Sequence, residues 1–100
     1  MTVSVTEPLN TFSGLKCFVY QKICQDYDLL MDSFPTAETL LKRSGELCCG
    51  VMFCLHGPRA VKFTAIWEKE QNRVLFYGPS GKRYCQVFLN DTDIPLDELL

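Results

Sequence analysis

"LCCGVMFCLHGPRAVKFTAIW", residues 47–67, reads as a pair of strand-forming runs meeting at "HGPR". Val, Phe, Ile and Thr dominate the runs, and Gly-Pro between them is turn chemistry. A link this short joins antiparallel neighbours. Similar runs at 73–77 and 83–89 follow, separated by "KEQN" and "GPSG". The half beyond Gly45 is therefore expected to be a four-stranded antiparallel meander, over about 47–56, 60–68, 73–77 and 83–89.

Turn length decides which side chains share a face, because strand residues alternate sides. Pairing His56 with Arg59, Glu68 with Arg73 and Tyr77 with Lys82 sorts the sheet. One face then carries Gly50, Met52, Cys54, Val61, Phe63, Ala65, Trp67, Val74, Phe76, Cys85, Val87 and Leu89. It is the apolar face that helices should cover. The opposite face is mixed: Cys49, Lys62, Thr64 and Gln86 stand among Val51, Phe53, Leu55, Ile66, Leu75, Tyr77, Tyr84 and Phe88.

Toward the N-terminus the pattern changes to helical spacing. In "SFPTAETLLKRSG" (33–45), Pro35 suits a first helical turn. Glu38 lies toward the positive end of such a helix, and Lys42 and Arg43 toward the negative end. Gly45 is placed to stop it. A helix over about 35–44 is the reading. The segment 14–31 sets Leu15, Val19, Ile23, Tyr27 and Leu30 at spacings of three to four, which also predicts a helix. Its stretch "LKCFVYQKI" (15–23) is rich in β-formers and leaves a strand open as the alternative. The fold class is α+β: N-terminal helices (14–31 and 35–44) on one face of the meander, in a single domain over 1–100. Residues 1–12 and 91–100 are expected to be flexible or peripheral.

Half of the chain's six cysteines and its only histidine fall within residues 48–56. On an extended strand, Cys48 and Cys54 stand roughly 20 Å apart, too far for one tetrahedral ion. No C-x-x-C motif is present to support redox cycling. These thiols read as small buried hydrophobes, so no metal ligand is assigned. "YGPSGKR" lacks the spacing of a phosphate loop and reads as a hairpin turn. With no nucleophile arranged around His56 and no G-x-S-x-G, no catalytic residue is assigned and no cofactor is expected.

Topology suggests a site that motifs do not. In a meander the first and third turns share one end of the sheet. That gathers His56, Arg59, Lys82 and Arg83 into an anion-binding candidate. The mixed face is the other candidate, since it offers more apolar surface than a monomer usually shows water. The N-terminal arm, the first helix or the C-terminal "IPLDELL" folding over it is the structural alternative. At 47% hydrophobic and 22% charged residues, the chain has an ordinary globular composition. A net charge of −2 and the absence of an RNP-like pattern set nucleic acid aside. No window approaches the length of a membrane span. The opening residues do not read as a secretory signal, so a cytoplasmic setting with reduced thiols is expected. "LDELL", Leu96 to Leu100, reads as a terminal amphipathic turn.

The functional expectation is a small non-catalytic interaction module. It self-associates, or binds a protein partner, through Val51, Phe53, Leu55, Ile66, Leu75, Tyr77, Tyr84 and Phe88. The alternative is a binding domain for a phosphate-bearing ligand, a nucleotide or nucleic acid, held by the basic turns at one end of the sheet. A thiol or metal protein, or a small enzyme, comes third.

Overall fold

The computed structural model describes residues 2–5, 11–43 and 47–89. Along the chain run β1 (Thr2–Val5), α1 (Phe12–Asp26), β2 (Thr36–Arg43), β3 (Leu47–His56), β4 (Lys62–Glu68), β5 (Arg73–Tyr77) and β6 (Arg83–Leu89). The strands form one sheet in the order β1-β6-β5-β4-β3-β2. Neighbours from β2 to β6 are antiparallel, and β1 runs parallel to β6. The fold is α+β, with a five-stranded antiparallel run in place of the expected four. Within the segment expected to be peripheral, Thr2–Val5 adds a short edge strand. The expectations for 91–100, including Leu96–Leu100, and for Gly45 as a helix stop lie outside the described residues.

Thr11 begins the helix: its hydroxyl accepts from the Gly14 N–H at 3.0 Å, meeting one of the donors a helix start leaves unpaired. Leu15, Val19, Tyr20, Ile23 and Cys24 are its buried residues. The strand alternative for 15–23 is therefore not taken. The helix ends at Asp26, five residues short of the expected boundary at 31, because Asp28 enters the left-handed region at φ 54°. Leu30, expected on the buried stripe, is 76% exposed.

The second expected helix is a strand. A helix of about ten residues is marginal on its own, whereas extended β2 supplies the partner that β3 needs. It pairs with β3 from Thr36–Leu55 to Arg43–Leu47, with a bulge at Leu41/Lys42. The His56 N–H donates to the Pro35 carbonyl at 2.9 Å and extends the ladder by one more pair. Alternation turns Glu38 and Leu40 toward the helix, and Leu40 packs on the core.

The β3–β4 link is also longer than read. His56 pairs with Lys62, not Arg59. The intervening chain makes a tight 3-10 turn at Pro58–Ala60, with Arg59 and Ala60 left-handed at φ 59° and 61°. The pairing position has moved by three residues. An odd shift exchanges the two faces of β3 relative to β4. Val51, Phe53 and Leu55 therefore join Phe63, Ala65, Trp67, Val74, Phe76, Cys85 and Val87 in the core beneath α1. Gly50, Met52 and Cys54 pass to the open side. Glu68 does pair with Arg73, as expected. At the last hairpin Tyr77 pairs with Arg83, not Lys82, and Phe76 with Cys85, so Tyr84 is an extra residue. Such a bulge re-aims a side chain, and Tyr84 packs on the core.

No helix among the described residues is long and apolar enough to cross a membrane.

Candidate functional site

Among the described residues one α-helix clothes the sheet, covering one face and leaving the other without a second layer. The covered face is closed by aromatic contacts. Phe53 stacks on Phe12 at 6.0 Å and meets Tyr20 edge-on at 5.8 Å. Tyr27, just past the helix, lies 4.6 Å from Phe63 and 5.6 Å from Tyr84. The eight residues expected on the mixed face are thus divided. Val51, Phe53, Leu55 and Tyr84 lie on the helix side, and the first three are 0–2% exposed. Ile66, Leu75, Tyr77 and Phe88 occupy the open face, each alternating with a core residue of its own strand.

The true register brings Met52 directly opposite Ile66, and Ile66 opposite Leu75, in one apolar row across β3, β4 and β5. Beside it, Thr64 links Cys54 to Tyr77. On β6 the residue opposite Leu75 is Gln86, and Phe88, 36% exposed, stands opposite Arg73 on the same face. A polar rung borders the apolar row: Arg73 Nε donates to Glu68 Oε1 at 2.9 Å, and Arg73 Nη1 to Gln86 Oε1 at 3.2 Å. Ala37, Thr39 and Leu41 of β2 share this face by register with Cys54, Met52 and Gly50. Sequence reasoning missed Met52 and Cys54 as open-face residues because the turn was counted too short. It missed the β2 residues because it made that segment a helix.

His56, Arg59, Lys82 and Arg83 are all exposed, and the links 57–61 and 78–82 do occupy the same end of the sheet. The C-terminus of α1 reaches that end as well: Tyr27 touches Phe63, and Asp26 Oδ2 accepts from Tyr84 at 2.9 Å. The negative pole of the helix therefore faces the basic turns and offsets part of their field.

A cleft of about 540 Å³ opens between α1 and the segment leading into β2, with Lys16, Cys17, Tyr20, Leu30, Met31 and Phe34 among its lining. Two of its polar groups are paired with Glu38. Tyr20 donates to Glu38 Oε2 at 2.9 Å, and Lys16 Nζ lies 2.9 Å from Glu38 Oε1. Burial, reinforced by the adjacent Glu38 carboxylate, pushes the Tyr20 hydroxyl well above the usual tyrosine range. Burial, with the charge of Asp32, also raises the Cys24 thiol and lowers its thiolate fraction. Among the described residues, no group of three His, Cys, Asp or Glu is placed to hold a metal ion.

No protein-family model matches the chain, and no curated protein or solved structure shows significant similarity to it.

Proposed function

We propose that the protein is a small interaction module that self-associates through its open sheet face. One observation carries the reading: among the described residues α1 covers a single side of the sheet, and the other side holds the partly or well exposed Met52, Ile66, Tyr77 and Phe88 around Leu75, itself 6% exposed, with the charged Glu68–Arg73 pair beside them. A sheet stabilises itself by burying an apolar face against another layer. A second copy of the same face is such a layer, at the roughly 10 Å spacing of packed sheets. The flat five-strand area, about 24 Å across and about 17 Å along the strands, spans roughly 400 Å² per copy. That is about half of the roughly 800 Å² per partner of a standard stable interface, so association is weak and concentration-dependent.

Sedimentation equilibrium tests this. The native chain should show reversible association, and Phe88→Glu should weaken it without changing its fold. A strict monomer at high concentration, or association indifferent to Phe88→Glu, would overturn the reading.

A further inference from the structure

The strand β2 ends the sheet, and among the described residues nothing pairs with its outer edge. It is eight residues long, against four for β1 on the opposite edge. Natural edge strands are usually short, or carry proline, lysine or a bulge that blocks a further strand. β2 carries no proline; its basic residues, Lys42 and Arg43, stand at its C-terminal end, and the register shift at Leu41/Lys42 leaves the extra residue, Cys49, on β3.

Which backbone groups face outward follows from one bond. Pro35 and His56 sit opposite one another and share the His56 N–H to Pro35 carbonyl bond at 2.9 Å. Alternation then directs the backbone of Ala37, Thr39 and Leu41 toward β3. Thr36, Glu38 and Leu40 direct their N–H and C=O groups away from the sheet.

We infer that this edge pairs with the same strand of a second copy, antiparallel and centred on Leu40. Charge sets the partner and the register. Glu38 and Lys42 flank Leu40 at equal distance in the sequence. An antiparallel self-pair centred on Leu40 places Glu38 opposite Lys42 twice, through one two-fold axis. Centring on Glu38 opposes two carboxylates, and parallel pairing sets each charge against itself. Centring on Thr39 leaves Glu38 opposite Leu40. The Glu38 carboxylate already serves Tyr20 and Lys16, and its remaining lone pairs can take a further donor. The axis stands normal to the sheet, so both helices stay on one side and both open faces lie side by side on the other.

This pairing does not depend on face-to-face packing, and amide exchange separates the two. Glu38 and Leu40 N–H groups, directed away from β3, should exchange roughly tenfold more slowly as the protein is concentrated from dilute to millimolar. Lys42→Glu, which turns both cross-copy pairs into like charges, should weaken dimerisation roughly tenfold. Association with unchanged exchange at Glu38 and Leu40, or with Lys42→Glu neutral, would overturn the edge pairing and leave the face reading standing. A strict monomer would overturn both.

Discussion

Tyr20 on α1 and Glu38 on β2 are joined by a 2.9 Å hydrogen bond from the tyrosine hydroxyl to Oε2. Lys16, one helical turn before Tyr20, holds the other carboxylate oxygen. The opposite flank repeats the arrangement: Tyr84 on β6 donates to Asp26 Oδ2, which Lys22 approaches to 3.1 Å. A lysine, a carboxylate and a tyrosine thus tie each side of the helix to a different strand. Apolar burial holds α1 against the sheet but is non-directional. These polar latches fix its rotation.

The latches make stability fall at alkaline pH. Burial, then the neighbouring carboxylate, raises the hydroxyl pKa of both Tyr20 and Tyr84 above the ordinary 10.0. Below pH of about 10 both states keep these protons and the contribution is fully present. Above it the unfolded chain releases protons that the folded chain retains, so stability declines as pH climbs toward the folded values. Denaturant melts from about pH 8 to about pH 11 should show this decline. The double variant Tyr20→Phe, Tyr84→Phe should flatten it. Equal slopes would dismiss the latches.

The face exchange in β3 predicts opposite outcomes for two similar substitutions. Phe53 is 0% exposed beneath Phe12 and Tyr20. Phe53→Glu loses about 3–5 kcal/mol of packing and buries an unpaired carboxylate as well. It should abolish cooperative unfolding. Tyr77, half-buried on the open face, should accept Glu with its circular dichroism intact and a stability loss near 1 kcal/mol. The reverse pattern would mean that His56 pairs with Arg59 after all.

Gly50 and Gly81 should respond to alanine for different reasons. A Cβ at Gly50 would sit 2.1 Å from the Trp67 carbonyl oxygen, inside the β3–β4 ladder. Gly50→Ala must push the strands apart, at a cost of about 1–3 kcal/mol. Gly81 has open space but φ of +85°, so Gly81→Ala costs about 1–2 kcal/mol through the backbone alone. Thermal melts of the two variants, with amide exchange at Trp67 disturbed only in the first, distinguish them.

Strand alternation and helical spacing carried the sequence reading of α1 and of β3 to β6, and β5 and β6 have the expected limits of 73–77 and 83–89. The Glu68–Arg73 pairing was also readable, because a four-residue link leaves little choice. The β3–β4 register was not, since Arg59 and Ala60 adopt left-handed backbone without glycine to signal it. That odd shift moved Val51, Phe53 and Leu55 under the helix while leaving Ile66, Leu75, Tyr77 and Phe88 where expected. In β2, Glu38, Lys42 and Arg43 imitate helix-end charges. The strand is selected by pairing with β3, whose partners lie as far off as Leu55 for Thr36, which local propensity does not report.

Thiol reactivity tests how the segment after α1 packs. Cys17 and Cys24 are seven residues apart, close to two helical turns, and both line the cleft. Yet Cys17 is exposed and Cys24 is 4% exposed. The difference comes from the turn beyond the helix, where the Leu29 N–H donates to the Cys24 carbonyl at 2.8 Å and the chain folds back over that end of α1. Brief alkylation of the native protein, read by mass spectrometry, should label Cys17 at least roughly tenfold faster than Cys24 or Cys85. All six cysteines should react in denaturant. Replacing Leu29 with glycine removes a side chain packed against the core and loosens that turn. It should speed Cys24 selectively while Cys85, beneath the sheet's covered face, stays slow. Equal native rates at Cys17 and Cys24 would show that the 27–35 segment does not close over the helix.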